Sequence, residues 1–358
     1  MYRLEIQKIL LAIDEHFSDA EYCMALIKQA IQIADKHQDL EWGVDLRYDL
    51  IHEERATSSC SESISAFAWI LNVCDQYPDQ FDEADFMLEY QWMLCSAYSN
   101  SSLSKEQVMT IGDDLYRRLD RNNLSKRGYY FTMAEYAHNL GDYEMSESYI
   151  NKGMLEPYDE ENTEASEYDY RIEHLCLMQR FDEAVAVMDQ MEIKKLSAFA
   201  LPFETYCAMA YTMARAKDER AIVYLNKAKE SYEKLREVNS SMLYSMVRYT
   251  YAMFLLGDSY YLTMYEKIAE WEIGAEDDLL FMLSRHVAVM FYDGGEQRLA
   301  LSSKLAFYQS SDIYDLKHVS TYYEAIAKDL GEKFDQRNDS DFATNEYKEL
   351  LLERDYKI

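Results

Sequence analysis

Apolar residues along this chain recur three and four positions apart and almost nowhere at every second position. That spacing is the helical one, so nearly the whole chain reads as amphipathic α-helix. A first pair of helices is expected over 4–17 and 20–37, with Ser18 and Asp19 as capping candidates between them. A second pair is expected at about 42–57 and 62–76, closed by Tyr77-Pro78, and a third at about 82–99 and 104–121. Ser104, followed by Gln107, has the form of a capping box. Pairs continue to the C-terminus, about eighteen helices in all. No segment reads as a strand leading into a helix, so no βαβ unit is expected.

Helix pairs on short turns invite a search for a period. Four segments share one frame, beginning Asn139-Leu-Gly-Asp-Tyr, Met178-Gln-Arg-Phe-Asp, Arg215-Ala-Lys-Asp-Glu and Leu256-Gly-Asp-Ser-Tyr. In each, a helix ends at a small or polar turn and a second helix follows at once. Ser146, Ala184, Ala221 and Leu262 occupy one position of the second helix, at shifts of 38, 37 and 41 residues. Seven residues on stand Gly153, Met191, Ala228 and Ala269. Two helical turns separate each couple, so both members lie on one face, where small side chains let a paired helix approach.

The turn Leu140-Gly141-Asp142-Tyr143, with Pro157 after the second helix, resembles the tetratricopeptide repeat. So do Phe181-Asp-Glu-Ala184 and the small residues Ala221 and Ala228. The Trp and Leu-Gly usual in the first helix of that repeat are missing, so the copies are divergent. Ser63-Ile-Ser-Ala-Phe-Ala-Trp69, Tyr77-Pro-Asp-Gln-Phe-Asp82 and Tyr90-Gln-Trp92 are similar to a group of bacterial tetratricopeptide-like proteins that has no assigned activity. Together the two resemblances cover about residues 15–275. They imply an all-α fold, a right-handed α-solenoid of antiparallel helix pairs over residues 1–358, and no chemistry. Such pairs bury their apolar faces only by stacking. The most polar joint, 156–169, has seven acids and no base, and reads as an acidic loop or a hinge. Residues 335–358 are polar, and Glu346 to Arg354 reads as a last capping helix.

Charge narrows the partners. With 36 Lys and Arg against 66 Asp and Glu, the chain carries a formal −30. That field repels phosphate backbones and anionic membrane surfaces, so neither nucleic acid nor membrane is an expected partner. The N-terminal Met1-Tyr-Arg-Leu-Glu-Ile-Gln-Lys is not a signal peptide, and the apolar stretch 242–256 is too short to span a bilayer, so a cytoplasmic setting is expected. The cysteines at 23, 60, 74, 95, 176 and 207 stand singly in helical patterns and read as reduced core thiols.

Catalytic patterns fail one by one. Asp293-Gly-Gly-Glu lacks the Gly and Lys of a phosphate loop and reads as a turn between helices. His52-Glu53-Glu54-Arg55-Ala56 puts Ala where a zinc-protease helix needs its second His. Asp335-Gln-Arg-Asn-Asp-Ser has Arg337 and Ser340 at positions where a calcium loop needs a ligand and Gly. No cofactor, metal or enzyme activity is expected. The Tyr and Met residues read mainly as helix packing, with Trp69 and Trp92 as core anchors.

In the repeat family the first helix of each pair lines the concave side. The resemblance therefore implies inward positions at Phe131, Glu135, His138 and Asn139, then Asp169, Tyr170 and Glu173. Tyr206, Ala210 and Met213 follow, then Arg248, Tyr251 and Phe254. Some members clamp a terminal carboxylate with Lys, Arg and Asn; here those positions supply Asn139 and Arg248 alone. Aromatic faces and carboxylates attract cations. The expected function is a non-catalytic scaffold for a protein or peptide with basic and apolar side chains. The alternatives are a peptide-sensing regulator or an acidic, immunity-type inhibitor of a basic protein, and then an enzyme with an unrecognised site.

Overall fold

The computed structural model describes residues 2–16, 19–159 and 162–353. Among them are 17 α-helices packed in consecutive antiparallel pairs, an array of helical hairpins. The first six are α1 (Tyr2–Asp14), α2 (Ala20–Lys36), α3 (Leu40–Glu54), α4 (Ser61–Gln76), α5 (Met87–Ser99) and α6 (Lys105–Arg121). Asp19 caps α2 by accepting from the Tyr22 N–H at 3.0 Å, and the Ser104–Gln107 box forms at the start of α6. Ser18 and Phe17 lie outside the described residues. The middle of the array is α7 (Arg127–Asn139), α8 (Tyr143–Leu155), α9 (Glu164–Leu177), α10 (Phe181–Ile193), α11 (Phe203–Arg215), α12 (Ala221–Tyr232), α13 (Leu243–Leu255) and α14 (Tyr261–Ile268).

The hairpin turns share one geometry. Between α7 and α8, Gly141 takes φ +71°, its N–H donates to the His138 carbonyl, and the Asp142 N–H donates to Ala137, both at 2.9 Å. This is a left-handed helix stop, and it satisfies two carbonyls that the helix end leaves free. The same pair of bonds forms at Gln179 and Arg180, Lys217 and Asp218, and Gly257 and Asp258. The positive-φ residues of the four turns are 38, 38 and 40 positions apart. Gln38 and Asp39 repeat the turn between α2 and α3, outside the four-segment frame. The small-residue face is buried as expected: Ser146, Ala184, Ala221 and Ala228 have no exposed surface. A Cβ on Gly153 would lie 3.4 Å from the Phe131 ring, in contact with it.

Beyond α15 (Asp277–Met290) the pattern changes. The Asp293-Gly-Gly turn leads into a strand rather than a helix, β1 (Glu296–Arg298), which pairs antiparallel with β2 (Ile313–Asp315). β2 runs directly into α16 (Leu316–Asn338), so a strand does precede a helix here. The two strands are three residues each, too short for an alternating pattern to show in the sequence. Asp335 then accepts from the N–H groups of Ala343 and Thr344 and starts α17 (Phe342–Glu353). Arg354, the expected end of that helix, lies outside the described residues.

Two large apolar cores run through the array, one from Ile6 to Tyr136 and one from Ala165 to Leu350. Each large side chain removed from water contributes about 1.5–3 kcal/mol. At the joint between the cores, Arg127 donates to the carbonyls of Gly153 and Glu156 and to Glu167, and Asp159 accepts from the Gly128 N–H. The joint's Glu160 and Glu161 lie outside the described residues. Among the described residues, no helix is long and apolar enough to cross a membrane.

The array also meets itself. The Ser99 hydroxyl donates to Asp278 at 2.8 Å, and the N–H and hydroxyl of Ser101 donate to Asp277 at 2.8 and 2.6 Å. Arg337 donates to the carbonyls of Tyr98 and Asn100 at 2.6 and 3.1 Å. Ser58 joins the same seam through Ser240, Trp271 and Glu276. At the seam the inner side of the hairpins meets the C-terminal helices.

Candidate functional site

Of the polar spaces along the seam, the widest, about 1300 Å³, is lined by Ser58, Ser240 and Trp271, and two others bring charged and aromatic side chains together. The smaller is a cavity of about 100 Å³ where α5, α7, α11, α13 and α15–α17 converge. Four arginines line it: Arg215, Arg248, Arg285 and Arg337. His138, Asn139, Tyr98, Asp278 and Glu346 complete its polar wall. Three of the arginines come from largely apolar helices: Arg248 is the only charged residue of α13, Arg285 the only Arg or Lys of α15, and Arg215 the only one of α11.

The larger of these two is a cleft of about 520 Å³ between the α3–α5 region and the start of α11 and α13. Trp92, Met93, Met242 and Phe199 supply apolar surface, and Glu204, Glu237 and Glu276 supply carboxylates. Phe199 is 71% exposed. Trp92, expected as a core anchor, packs against the N-terminal core and also lines the cleft, with the Arg55 guanidinium 4.0 Å from its ring centroid. Stacking under a cation lets the indole stay partly wet.

Between the two spaces runs a row of interior carboxylates. Tyr98 donates to Glu135 at 3.0 Å, Thr205 to Asp169 at 2.5 Å, and Arg248 to Glu173 at 2.5 Å. Burial pushes Glu135 up to about 8, with the Glu173 charge adding to the shift. Burial likewise raises Asp169 to about 7, Glu276 to about 8 and Asp278 to about 6. Burial also opposes the charge on Glu173, but its ion pair with Arg248 holds that carboxyl below the ordinary range. His138 is pushed down to about 4 by burial.

The thirteen inward positions separate into distinct settings, with Ala210 and Phe254 buried in the core. His138, Asn139 and Arg248 line the arginine cavity. Glu135, Asp169, Tyr170 and Glu173 lie along the interior row, with Tyr170 stacked on Phe131 at 5.4 Å. Phe131, Met213 and Tyr251 are packed in the core, 1%, 0% and 0% exposed, so they offer no surface. Tyr206 points away from them and donates to Glu192 on α10 at 2.8 Å. Arg215, Arg285, Arg337 and Asp278 were missed because three of them lie outside the repeat frame and Arg215 was taken into a turn. A lone arginine in an apolar helix was the available signal.

One arrangement has the form of a nucleophile beside a base: the Ser146 hydroxyl lies 2.7 Å from His138 Nε2, and His174 Nδ1 lies 3.2 Å from the same nitrogen. Ser146 has no exposed surface, so no substrate reaches it. Among the described residues, no group of three His, Cys, Asp or Glu side chains is placed to hold a metal ion. The chain matches no protein-family model, and no curated protein matches it.

Proposed function

We propose that this chain is a non-catalytic, tetratricopeptide-like protein- or peptide-binding array that acts in the cytoplasm. Its ligand is a short segment with basic and apolar side chains, held in the cleft between α5 and the start of α11 and α13. The observation that carries this reading is the composition of the cleft wall. Phe199 and Met242 stand beside Glu204 and Glu237 in a space of about 520 Å³. Aromatic faces and partly desolvated carboxylates both favour Lys and Arg, and the exposed Phe199 ring offers apolar anchoring. The hairpin turns and their spacing support the repeat likeness, and six free cysteines suit a reducing compartment.

Selection from a random peptide library against the full chain tests the reading. Peptides combining Arg or Lys with Leu, Phe or Trp are expected to be enriched. The double substitution Glu204→Gln and Glu237→Gln weakens their binding about tenfold, and added salt weakens it further. Enrichment without that composition, or affinities unmoved by the double substitution, refutes it.

A further inference from the structure

The arginine cavity plays no part in the peptide reading. Four guanidinium groups gather around about 100 Å³ in a chain with 66 acids and 36 bases. Enclosing like charges is costly unless each is compensated. Here compensation is uneven. Arg248 is bound to Glu173 at 2.5 Å and Arg215 to Glu353 at 2.9 Å. Arg285 comes only within 3.7 Å of Glu346, which it shares with Arg215. Arg337 donates from Nη1 to two backbone carbonyls and from Nε to the Asn338 side chain at 2.9 Å, and among the described residues it has no carboxylate at ion-pair distance. Among the described residues, the buried Nε–H groups of Arg248 and Arg285 have no acceptor, and Arg248 as a whole is 4% exposed. A buried donor without an acceptor carries a desolvation cost that a ligand oxygen removes.

The guanidinium planes are already fixed. Arg248 lies 4.1 Å from the Tyr244 ring centroid, Arg285 4.9 Å from Phe281, and Arg337 4.9 Å from Phe334. Ring stacking holds the flat faces and leaves the edge N–H groups to address an oxyanion in the plane. The volume is several times the roughly 10–15 Å³ that one water molecule needs, and far below that of a helix or an extended peptide. We propose that this cavity is a binding site for a compact oxyanion, a phosphate or a short carboxylate, held by charge-assisted hydrogen bonds from Arg285, Arg337 and Arg248. Asp278 and Glu346 also line the cavity, Glu346 within 3.7 Å of Arg285, and their charge discriminates against polyanions. Because these arginines sit on α13, α15 and α16, and Arg337 also holds α5, the bound anion ties the two ends of the array together.

Calorimetric titration of the full chain at constant ionic strength tests this, with inorganic phosphate, succinate and the neutral diamide of succinate as probes. Saturable 1:1 binding of phosphate or succinate is expected with Kd below about 1 mM, and none of the diamide. Whichever anion binds identifies the source of the oxygen atoms. Arg285→Gln weakens binding at least about tenfold; so does Arg285→Lys, which keeps the charge and the fold but loses the planar fork. Arg180→Gln, on an exposed pair with Glu147 and Glu183, leaves affinity unchanged. No saturable binding of either anion up to about 10 mM overturns the proposal. So does affinity that Arg285→Lys leaves intact, since that would be the general salt effect of such anions on any folded chain.

Discussion

At the hairpin turns, each stop bond joins groups no more than five positions apart, as between Asp142 and Ala137. At the seam, Ser101, Ser99 and Arg337 find partners 176, 179 and 239 positions away. The turns are thus stable wherever their own helices are stable. The seam exists only when the whole array has formed, and its donors lose their partners together if it opens. Local turns tolerate sequence drift, as the change from Gly141 and Gly257 to Gln179 and Lys217 at one geometry shows. Seam contacts such as Ser99 with Asp278 and Arg337 with Tyr98 depend on side chains meeting across the array.

Removing one seam acceptor breaks this comparison most directly. Asp277→Ala leaves both the N–H and the hydroxyl of Ser101 without a partner in a nearly buried site. The expected cost is about 3 kcal/mol, from two orphaned donors. Urea unfolding reads the stability, and small-angle scattering reads the shape. A destabilised variant with a larger radius of gyration identifies the seam as the closing element. A loss below about 0.5 kcal/mol would mean that water replaces Asp277 at little cost.

The two turn glycines sharpen the contrast. Gly141 and Gly257 have nearly equal φ, +71° and +72°. An alanine Cβ at 257 meets nothing within 4 Å, whereas at 141 it would lie 2.4 Å from the Phe342 ring of α17. Gly257→Ala therefore measures left-handed strain alone, about 1 kcal/mol. Gly141→Ala adds a clash with the C-terminal helix, for a total of about 2 kcal/mol. Thermal unfolding of both variants separates the local term from the long-range one. Equal shifts would mean that α17 yields without cost.

The same division explains what was legible in the chain. Leu140-Gly141-Asp142 announces its turn because every group involved lies within one helical turn of the next, and the 38-residue spacing follows. Ser104 and Gln107 announce their box for the same reason. The arginine cavity draws residues 98, 215, 248, 285 and 337 to one point, and no local pattern carries that convergence. Repeat geometry set Phe131, Met213 and Tyr251 on the inner side, but Phe131 packs with Ala134, Ile150 and Tyr170 of its own and the next hairpin, Tyr251 packs against His286 of α15, and all three are core. The short hairpin of β1 and β2 was invisible because three residues per strand give no period to read.

Proton linkage gives the smallest effect, and it divides the molecule along the same line. At the turns, Asp218 is held below the ordinary carboxylate range by its bonds to Arg220. Asp258 is also lowered: burial works against it, but Lys229 outweighs that. A lowered carboxyl stabilises the fold above its unfolded pKa and loses that contribution as pH falls through the folded value. At the seam and along the interior row the sign reverses. Burial raises Glu276 and Glu135 to about 8, Asp169 to about 7 and Asp278 to about 6. The folded state then holds protons that the unfolded chain has released, so stability falls as pH rises from about 5 to about 8. His138, pushed down to about 4 by burial, works the other way and removes stability as pH falls below about 6.5. Four carboxyls outweigh one imidazole, so stability is expected to peak near pH 5 and to decline by about 1 kcal/mol or more toward pH 8. Glu276→Gln is expected to flatten the alkaline decline and leave the acid limb in place. Hydrogen exchange at residues 98–101, corrected for its intrinsic pH dependence, is expected to accelerate toward pH 8 in the parent chain while the turn at 217–218 stays protected. Acceleration at the turn first would place the alkaline weakness in the hairpins and remove the seam as the site where protons control opening.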